Sequence, residues 1–87
     1  MNKYVEIIYP NPTKDDVLVK HGFTSGQDLV VRIFDQAGRQ VSASHVGASD
    51  MDKGLFSVNV AALQGGMYSL NFVLEGKNLG SVPFVKQ

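Results

Sequence analysis

Short runs of alternating apolar and polar residues extend through nearly the whole chain. Glycine, proline or aspartate interrupts them at intervals of about 8 to 12 residues. A period of two is typical of β-strands that bury one face, because successive side chains point to opposite sides of a sheet. The sequence shows no amphipathic helical period, which repeats every ~3.6 residues. The chain is therefore predicted to be an all-β protein.

Several separate segments carry this alternation and are predicted to be strands. They are Tyr4–Tyr9, Val17–Lys20, Leu29–Phe34, Gln40–Val46, Leu55–Val60, Met67–Glu75 and Leu79–Lys86. The weak alternation of Gln40–Val46 predicts a strand near a sheet edge, and the pattern leaves open whether Tyr4–Tyr9 pairs within the domain or belongs to a linker. His21–Gln27 and Gly47–Gly54 are predicted to be loops. About seven short strands are typical of an antiparallel β-sandwich, and we predict this fold for a single domain over residues 1–87.

Two turns have clear chemical signatures. Pro10-Asn11-Pro12 is predicted to form a rigid corner, because proline fixes its own φ and biases the preceding residue toward extended geometry. Asp35–Arg39 is predicted to be a hairpin turn, because aspartate favours the start of a turn and Gly38 tolerates a positive φ near its end. These turns end the first predicted strand and join the third to the fourth.

The composition of the chain excludes several classes of function. Its 87 residues include 8 Lys and Arg, 8 Asp and Glu and no Cys, so the formal net charge is zero. A neutral chain lacks the basic surface of nucleic-acid-binding proteins, and without cysteine no thiolate zinc site is possible. No apolar run approaches the ~18–20 residues of a membrane-spanning helix. A domain of this size also has a thin core and little room for a catalytic cleft.

The candidate catalytic and metal-binding residues form no working arrangement. His21 and His45 have no recognisable base, nucleophile or ligand partner, and both are predicted to be surface or half-buried residues. Asp50 and Asp52 have the spacing of a calcium loop, but Lys53 and Gly54 follow where further oxygen ligands are needed. We therefore predict no enzymatic activity, no metal and no cofactor.

Several motifs occur in a fixed order along the chain. They are Tyr9-Pro10-Asn11-Pro12, Val17-x-Val19, Ile33-Phe34-Asp35-x-x-Gly38-Arg39-x-Val41, Val58-x-Val60-x-x-Leu63-x-x-Gly66-Met67-Tyr68-x-Leu70 and Phe84-Val85-Lys86. In this order they resemble the C-terminal sorting domain of proteins exported by the type IX secretion system of Bacteroidetes. The resemblance covers residues 8 to 87 and departs from the family pattern at Pro83, where a lysine is usual. Because proline donates no ladder hydrogen bond, Pro83 also predicts that the last strand lies at a sheet edge.

The resemblance implies an immunoglobulin-like sandwich that acts as an address tag and not as an enzyme. It implies a larger parent protein that carries this domain at its C-terminus and passes through the periplasm to the cell surface or the medium. The expected partners are the outer-membrane translocon and shuttle proteins of the secretion system and a sortase-like surface peptidase. The domain is then expected to be either cleaved or retained.

The motif residues are expected to act mainly in the structure of the domain. They are Tyr9, Pro10, Asn11, Pro12, Asp35, Gly38, Arg39, Leu63, Gly66 and Tyr68. Arg39 is expected to form a local ion pair or a partner contact. Tyr68 is expected to place its ring in the core and its hydroxyl near the rim.

The last predicted strand is the candidate for recognition. Main-chain groups of an exposed terminal strand can pair with a strand of a partner. The candidate residues are Leu79, Val82, Phe84, Val85 and Lys86, with Lys86 supplying a charge. We expect that deletion of the last few residues leaves folding mostly intact and blocks export.

An immunoglobulin-like adhesion or carbohydrate-binding module is the alternative function. Aromatic residues could form a sugar-binding platform, although on strands they pack in the core more often. The candidates are Tyr4, Tyr9, Phe23, Phe34 and Tyr68.

Overall fold

The computed structural model describes residues 4–24 and 26–87. The elements in chain order are β1 (Val5–Tyr9), β2 (Asp16–His21), β3 (Leu29–Asp35), β4 (Gln40–His45), α1 (Ala48–Lys53), β5 (Leu55–Asn59), β6 (Gly66–Leu74) and β7 (Lys77–Lys86). The predicted strands are all present within these residues, with ends that differ by a few residues. The all-β prediction is confirmed, with one short helix added.

The strands form two antiparallel sheets that face each other. One has three strands in the order β1-β2-β5, and the other has four in the order β4-β3-β6-β7. The first strand pairs with β2, Ile8 lying opposite Val19, so the segment Tyr4–Tyr9 belongs to the domain and is not a linker. The predicted antiparallel sandwich is therefore confirmed.

The core lies between the two sheets and is built from the apolar face of each alternating strand. Val17 and Val19 of β2 and Leu70 and Phe72 of β6 are fully buried, each with 0% of its surface exposed. At roughly 1.5–3 kcal/mol for each fully buried large apolar side chain, this burial is the main term that stabilises the sandwich. The alternation seen in the sequence thus decides which face of each strand is buried.

The segment Gly47–Gly54 differs from its prediction as a loop, because it contains helix α1. The helix has 6 residues, of which only Met51 is buried, so it is too short to show a helical period in the sequence. Gly54 ends it in the left-handed conformation, with φ 71°. Asp50 and Asp52 lie two positions apart on a helix and do not face each other, which removes the basis for a shared calcium site.

His21 also differs from its prediction as a surface or half-buried loop residue. It ends β2 and is only 4% exposed. Its Nδ1 accepts a hydrogen bond from the Phe23 N–H at 3.1 Å, and its ring lies 5.2 Å from the ring of Phe56. His21 is thus a satisfied core residue, whereas His45 is exposed on β4. Within residues 4–24 and 26–87, no helix is long and apolar enough to cross a bilayer.

Candidate recognition site at the terminal strand

Strand β7 is the outermost strand of the four-stranded sheet, as Pro83 predicts. It pairs along its length with β6, from Lys77 opposite Leu74 to Lys86 opposite Gly66. Val82, Phe84 and Lys86 point into the sandwich and are buried, whereas Ser81, Pro83 and Val85 alternate with them and point outward. The candidate recognition residues are therefore divided between two faces, and Leu79 is half-buried near the start of the strand.

The corner that follows β1 covers the outer edge of β7 near its end. The Thr13 N–H donates to the Val85 carbonyl oxygen at 2.8 Å, and the Gln87 N–H donates to the Thr13 carbonyl oxygen at 2.8 Å. The Val85 N–H donates to Asn11 Oδ1 at 2.9 Å. The main-chain groups that a partner strand would use near the C-terminus of β7 are thus already bonded within the molecule. Pro83 has no N–H to offer, so the open part of this edge is limited to the residues before it.

Thr13 holds this corner against β7, although no sequence motif marks it. It is 1% exposed, and its hydroxyl donates to the Asp16 carbonyl oxygen while its main chain bonds β7. A threonine that follows a Pro-Asn-Pro segment carries no sequence signal for such a contact. Its partners lie at the opposite end of the chain, and only the fold brings them together.

Lys86 lies at the end of the sandwich with most of its side chain buried. The residue is 8% exposed, and its Nζ donates to the Gln87 carbonyl oxygen at 3.0 Å. Among the described residues no aspartate or glutamate forms an ion pair with it. A lysine can bury its apolar stem while its ammonium group stays near the surface, so Lys86 combines a packed stem with a charge at the rim of the sandwich.

Tyr68 packs between β7 and the motif residues of β3, because it pairs in register with Phe84 on one side and Asp35 on the other. Its ring stacks on that of Phe84 with centroids 5.6 Å apart, and its hydroxyl donates to the Gln64 carbonyl oxygen at 2.7 Å. This is the predicted placement, with the ring packed and the hydroxyl at the rim.

The hairpin turn after β3 is organised by Asp35. Its Oδ1 accepts hydrogen bonds from the Ala37 N–H at 3.1 Å and the Arg39 N–H at 2.9 Å, and Gly38 has φ 88°. The Arg39 Nε lies 3.2 Å from Asp35 Oδ2, so Arg39 forms a local ion pair. The hydrogen bond from the Arg39 main chain is the largest cause that lowers the pKa of Asp35, and the charge of Arg39 adds to it.

These contacts gather motifs that are far apart in sequence at one end of the sandwich. The corner at Asn11–Thr13 bonds the end of β7, and the row Asp35–Tyr68–Phe84 crosses three strands beside it. Leu63 packs half-buried against the core, and Gly66 starts β6 opposite Lys86. A shallow cavity of about 240 Å³ opens here between Asp35, Gln36, Met67, Tyr68 and Ser69.

The aromatic residues of the sugar-binding alternative do not share one exposed surface. Tyr4 stacks on Phe23 with centroids 5.2 Å apart, and Phe23 is 5% exposed in the core. Tyr68 packs on Phe84, and Phe34 lies on the outside of the four-stranded sheet under Arg32. Tyr9 is 39% exposed on the other sheet. The structure thus gives this alternative no platform.

The residues of the ordered motifs shape the turns, the corner and the terminal edge strand of a β-sandwich, and none of them forms a catalytic or metal-binding arrangement within the described residues. The family model described as the secretion system C-terminal sorting domain matches residues 7–81. The chain belongs to this family, and it is a C-terminal sorting signal for type IX secretion. The family implies export to the cell surface or the extracellular space and interaction with the type IX machinery. It also points to a non-catalytic role.

The matched residues stop within β7, so Val82 to Gln87 lie beyond the family match. The proposal that Phe84-Val85-Lys86 take part in recognition therefore rests on their position in β7 and not on the family match. No curated protein and no solved structure matches the chain significantly.

Proposed function

We propose that the outer-membrane translocon recognises this domain through β7, contacting Leu79, Val85 and Lys86, while the buried side chains of Val82 and Phe84 hold the strand in place. The observation that carries the proposal is that β7 ends the four-stranded sheet with a lysine whose stem is packed and whose ammonium group pairs with no aspartate or glutamate among the described residues. A partner that offers a carboxylate to Lys86 would form a charge-assisted hydrogen bond with it. Recognition would then depend on the partner's complementarity to one strand and one charge.

The same proposal gives the corner a role in holding β7. The bonds from Asn11 and Thr13 occupy the outer edge at Val85 and Gln87, so the domain does not present its whole terminal edge to other chains. A partner strand that pairs with this edge replaces three hydrogen bonds with equivalent ones, at little net cost. The corner thus protects the edge until a suitable partner competes for it.

The proposed export route of the parent protein follows from the role of this domain as a sorting signal. A larger parent protein carries the domain at its C-terminus, passes through the periplasm and is handed by shuttle proteins to the translocon. At the cell surface, a sortase-like peptidase removes the domain, or the domain is retained. The domain itself acts as the sorting signal and catalyses no reaction.

The test is a fusion of residues 1–87 to a reporter that folds in the periplasm of a bacterium with a type IX system. Surface or extracellular reporter supports the sorting role, and reporter retained in the periplasm contradicts it. The expectation that folding survives deletion of the last few residues conflicts with the burial of Phe84, which is 1% exposed. A loss of export in such a deletion could therefore result from misfolding and not from lost recognition. Point variants at Lys86 and Val85 test the strand without removing core.

A further inference from the structure

Arg32 lies near the centre of the outer face of the four-stranded sheet. It sits in β3, opposite Ala43 of β4 on one side and Asn71 of β6 on the other. Its Nε donates to Asn71 Oδ1 at 2.9 Å, and its guanidinium carbon lies 5.2 Å from the centre of the Phe34 ring. The guanidinium is therefore fixed by one hydrogen bond and one cation–π contact.

Asn71 is fixed by its own hydrogen bonds, so its side-chain oxygen fixes the orientation of the Arg32 guanidinium. It is 3% exposed although it faces away from the core. Its Nδ2 lies within hydrogen-bonding distance of Asn78 Oδ1 at 2.9 Å, the Gly80 carbonyl oxygen at 3.0 Å and Ser81 Oγ at 3.1 Å. These acceptors fix which end of the amide carries the oxygen, and that oxygen is directed at Arg32.

The charge of Arg32 has no partner in the described part of the chain. The ion pairs there are Arg39 with Asp35 and His45 with Asp28. Its two terminal nitrogens make no hydrogen bond to a described residue, since the only bond from this side chain comes from Nε. Arg39, with 79% of its side chain exposed, has the ion pair, whereas Arg32 is half-buried and has none.

Exposed apolar side chains extend along the face to one side of this fixed cation. On the same face, Met67 is 52% exposed and Val41 and Val85 are each 37% exposed. Met67 lies opposite Val85, and Ser69 lies between Phe34 and Pro83, so an apolar strip extends from Arg32 toward the end of β7. We call this surface the Arg32 face; it consists of Arg32, Phe34, Val41, Met67, Pro83 and Val85.

We propose that the Arg32 face binds a protein partner that presents an aspartate or glutamate carboxylate within an apolar surface. A guanidinium with both terminal nitrogens free matches a carboxylate in two parallel hydrogen bonds. Arginine, methionine and aromatic residues are also the types enriched in protein interfaces, and arginine is enriched among the residues that dominate binding energy. A polyanion such as nucleic acid requires several cations, and this face holds one. The site goes beyond the sorting role and shares Val85 with the proposed recognition strand, and the titration below tests it without any measurement of export.

The test uses the 87-residue chain and two matched small probes. 4-Methylpentanoate carries a carboxylate on an apolar chain, and 4-methylpentanamide has the same shape without the charge. NMR follows the Arg32 Nε–H signal and the main-chain amides of β3 and β6 during titration. We expect saturable shifts with the carboxylate and at least tenfold weaker binding of the amide, since a hydrogen bond to a charged group contributes about 1.5–3 kcal/mol.

Two variants on β4 separate the Arg32 site from general effects of charge. Ala43→Glu places a carboxylate directly opposite Arg32 and should occupy it, which weakens probe binding at least tenfold. Ser42→Glu adds the same charge on the neighbouring residue, whose side chain points to the other face, and should leave binding within about twofold. Arg32→Gln should abolish binding, and Arg39→Gln should not.

Three results would overturn the proposal. One is a linear response to both probes without saturation, and another is equal binding by the wild-type chain and Arg32→Gln. The third is tighter binding of inorganic phosphate than of 4-methylpentanoate, which assigns the site to phosphate groups and not to carboxylates. If Arg32→Gln proves unfolded by circular dichroism, the pair Ala43→Glu and Ser42→Glu decides the question with Arg32 in place.

Discussion

The two edges of the four-stranded sheet differ in how they are closed. At one edge, all six residues of β4 are exposed, and the strand pairs only with β3. At the other edge, β7 buries Val82, Phe84 and Lys86, and the corner at Asn11–Thr13 bonds its end. Both strands alternate in sequence, so alternation alone does not make an edge strand part of the core.

The physical reason lies in what each strand faces. The four-stranded sheet is wider than the three-stranded sheet, and β4 gains little cover from across the sandwich. Ser42 and Ser44 point inward on β4 without being buried, and their small polar side chains tolerate this exposure. By contrast, β7 is covered by both the opposite sheet and the corner. The comparison predicts that variants in β7 have large effects and equivalent variants in β4 have small ones.

The largest effect is expected for Phe84→Ala. Phe84 is 1% exposed and stacks on Tyr68, so the substitution removes apolar burial and leaves a cavity. We expect a loss of about 3–5 kcal/mol in the free energy of unfolding, measured by urea denaturation. Val41→Ala on β4 is the control and should cost less than about 0.5 kcal/mol. Equal losses would remove the difference between the two edges.

Lys86→Met is expected to lower export with little change in stability. Methionine keeps the packed apolar stem and removes only the ammonium group, so the free energy of unfolding should stay within about 1 kcal/mol of the wild-type value. If Lys86 serves recognition, export of the reporter should nevertheless fall. The control is Lys77→Met, at the exposed start of β7, which should change neither quantity. Loss of stability together with export would make Lys86 a structural residue and count against its proposed role.

Asn11→Ala tests whether the corner closes the edge of β7. It removes the acceptor for the Val85 N–H and should lower the free energy of unfolding by about 0.5–1.5 kcal/mol. Hydrogen exchange of the Val85 amide should speed up, whereas that of amides in β3 should not. Asn59→Ala removes a similar side-chain acceptor, for the Ala61 N–H, and leaves the hydrogen bonds from the corner to β7 in place. Unchanged exchange at Val85 in Asn11→Ala would show that the corner does not hold the strand.

The smallest effect concerns the pH dependence of the turn that joins β3 to β4. The Arg39 N–H, and then the Arg39 charge, hold the pKa of Asp35 below its usual value of 3.8. A carboxylate with a lowered pKa stabilises the folded state above that value, and this contribution is lost as pH falls through the lowered pKa. Asp35→Asn should therefore flatten the acid end of the stability curve. Asp52→Asn, on an exposed residue of α1, is the matched control that removes a carboxylate outside this turn.

Much of the fold can be predicted from local sequence because its causes are local. The alternation in Leu29–Phe34 selects its buried face, and Asp35 with Gly38 supplies the hydrogen bonds and positive φ of the next turn. Proline at position 83 excludes a central strand, and β7 is indeed an edge. These features require only the chemistry of a few neighbouring residues.

The candidate site was predicted less completely, because its contacts join distant parts of the chain. The terminal strand was found, but the hydrogen bond from Val85 to Asn11 spans 74 positions. Asn71 holds Arg32 across 39 positions, and neither residue belongs to a motif that predicts the contact. The helix in Gly47–Gly54 was missed because a single buried residue, Met51, gives no period.

The strands, the turns and the family of this sorting domain can be predicted from local sequence, since each depends on residue types at short spacing. The packing of the two sheets establishes which strands are neighbours and which edge is closed. It also buries Lys86 and holds Arg32 without an opposite charge among the described residues. A period of two defines the faces of a strand but not its partners. Those depend on the free energy of the whole packed sandwich, to which residues far apart in the chain contribute together.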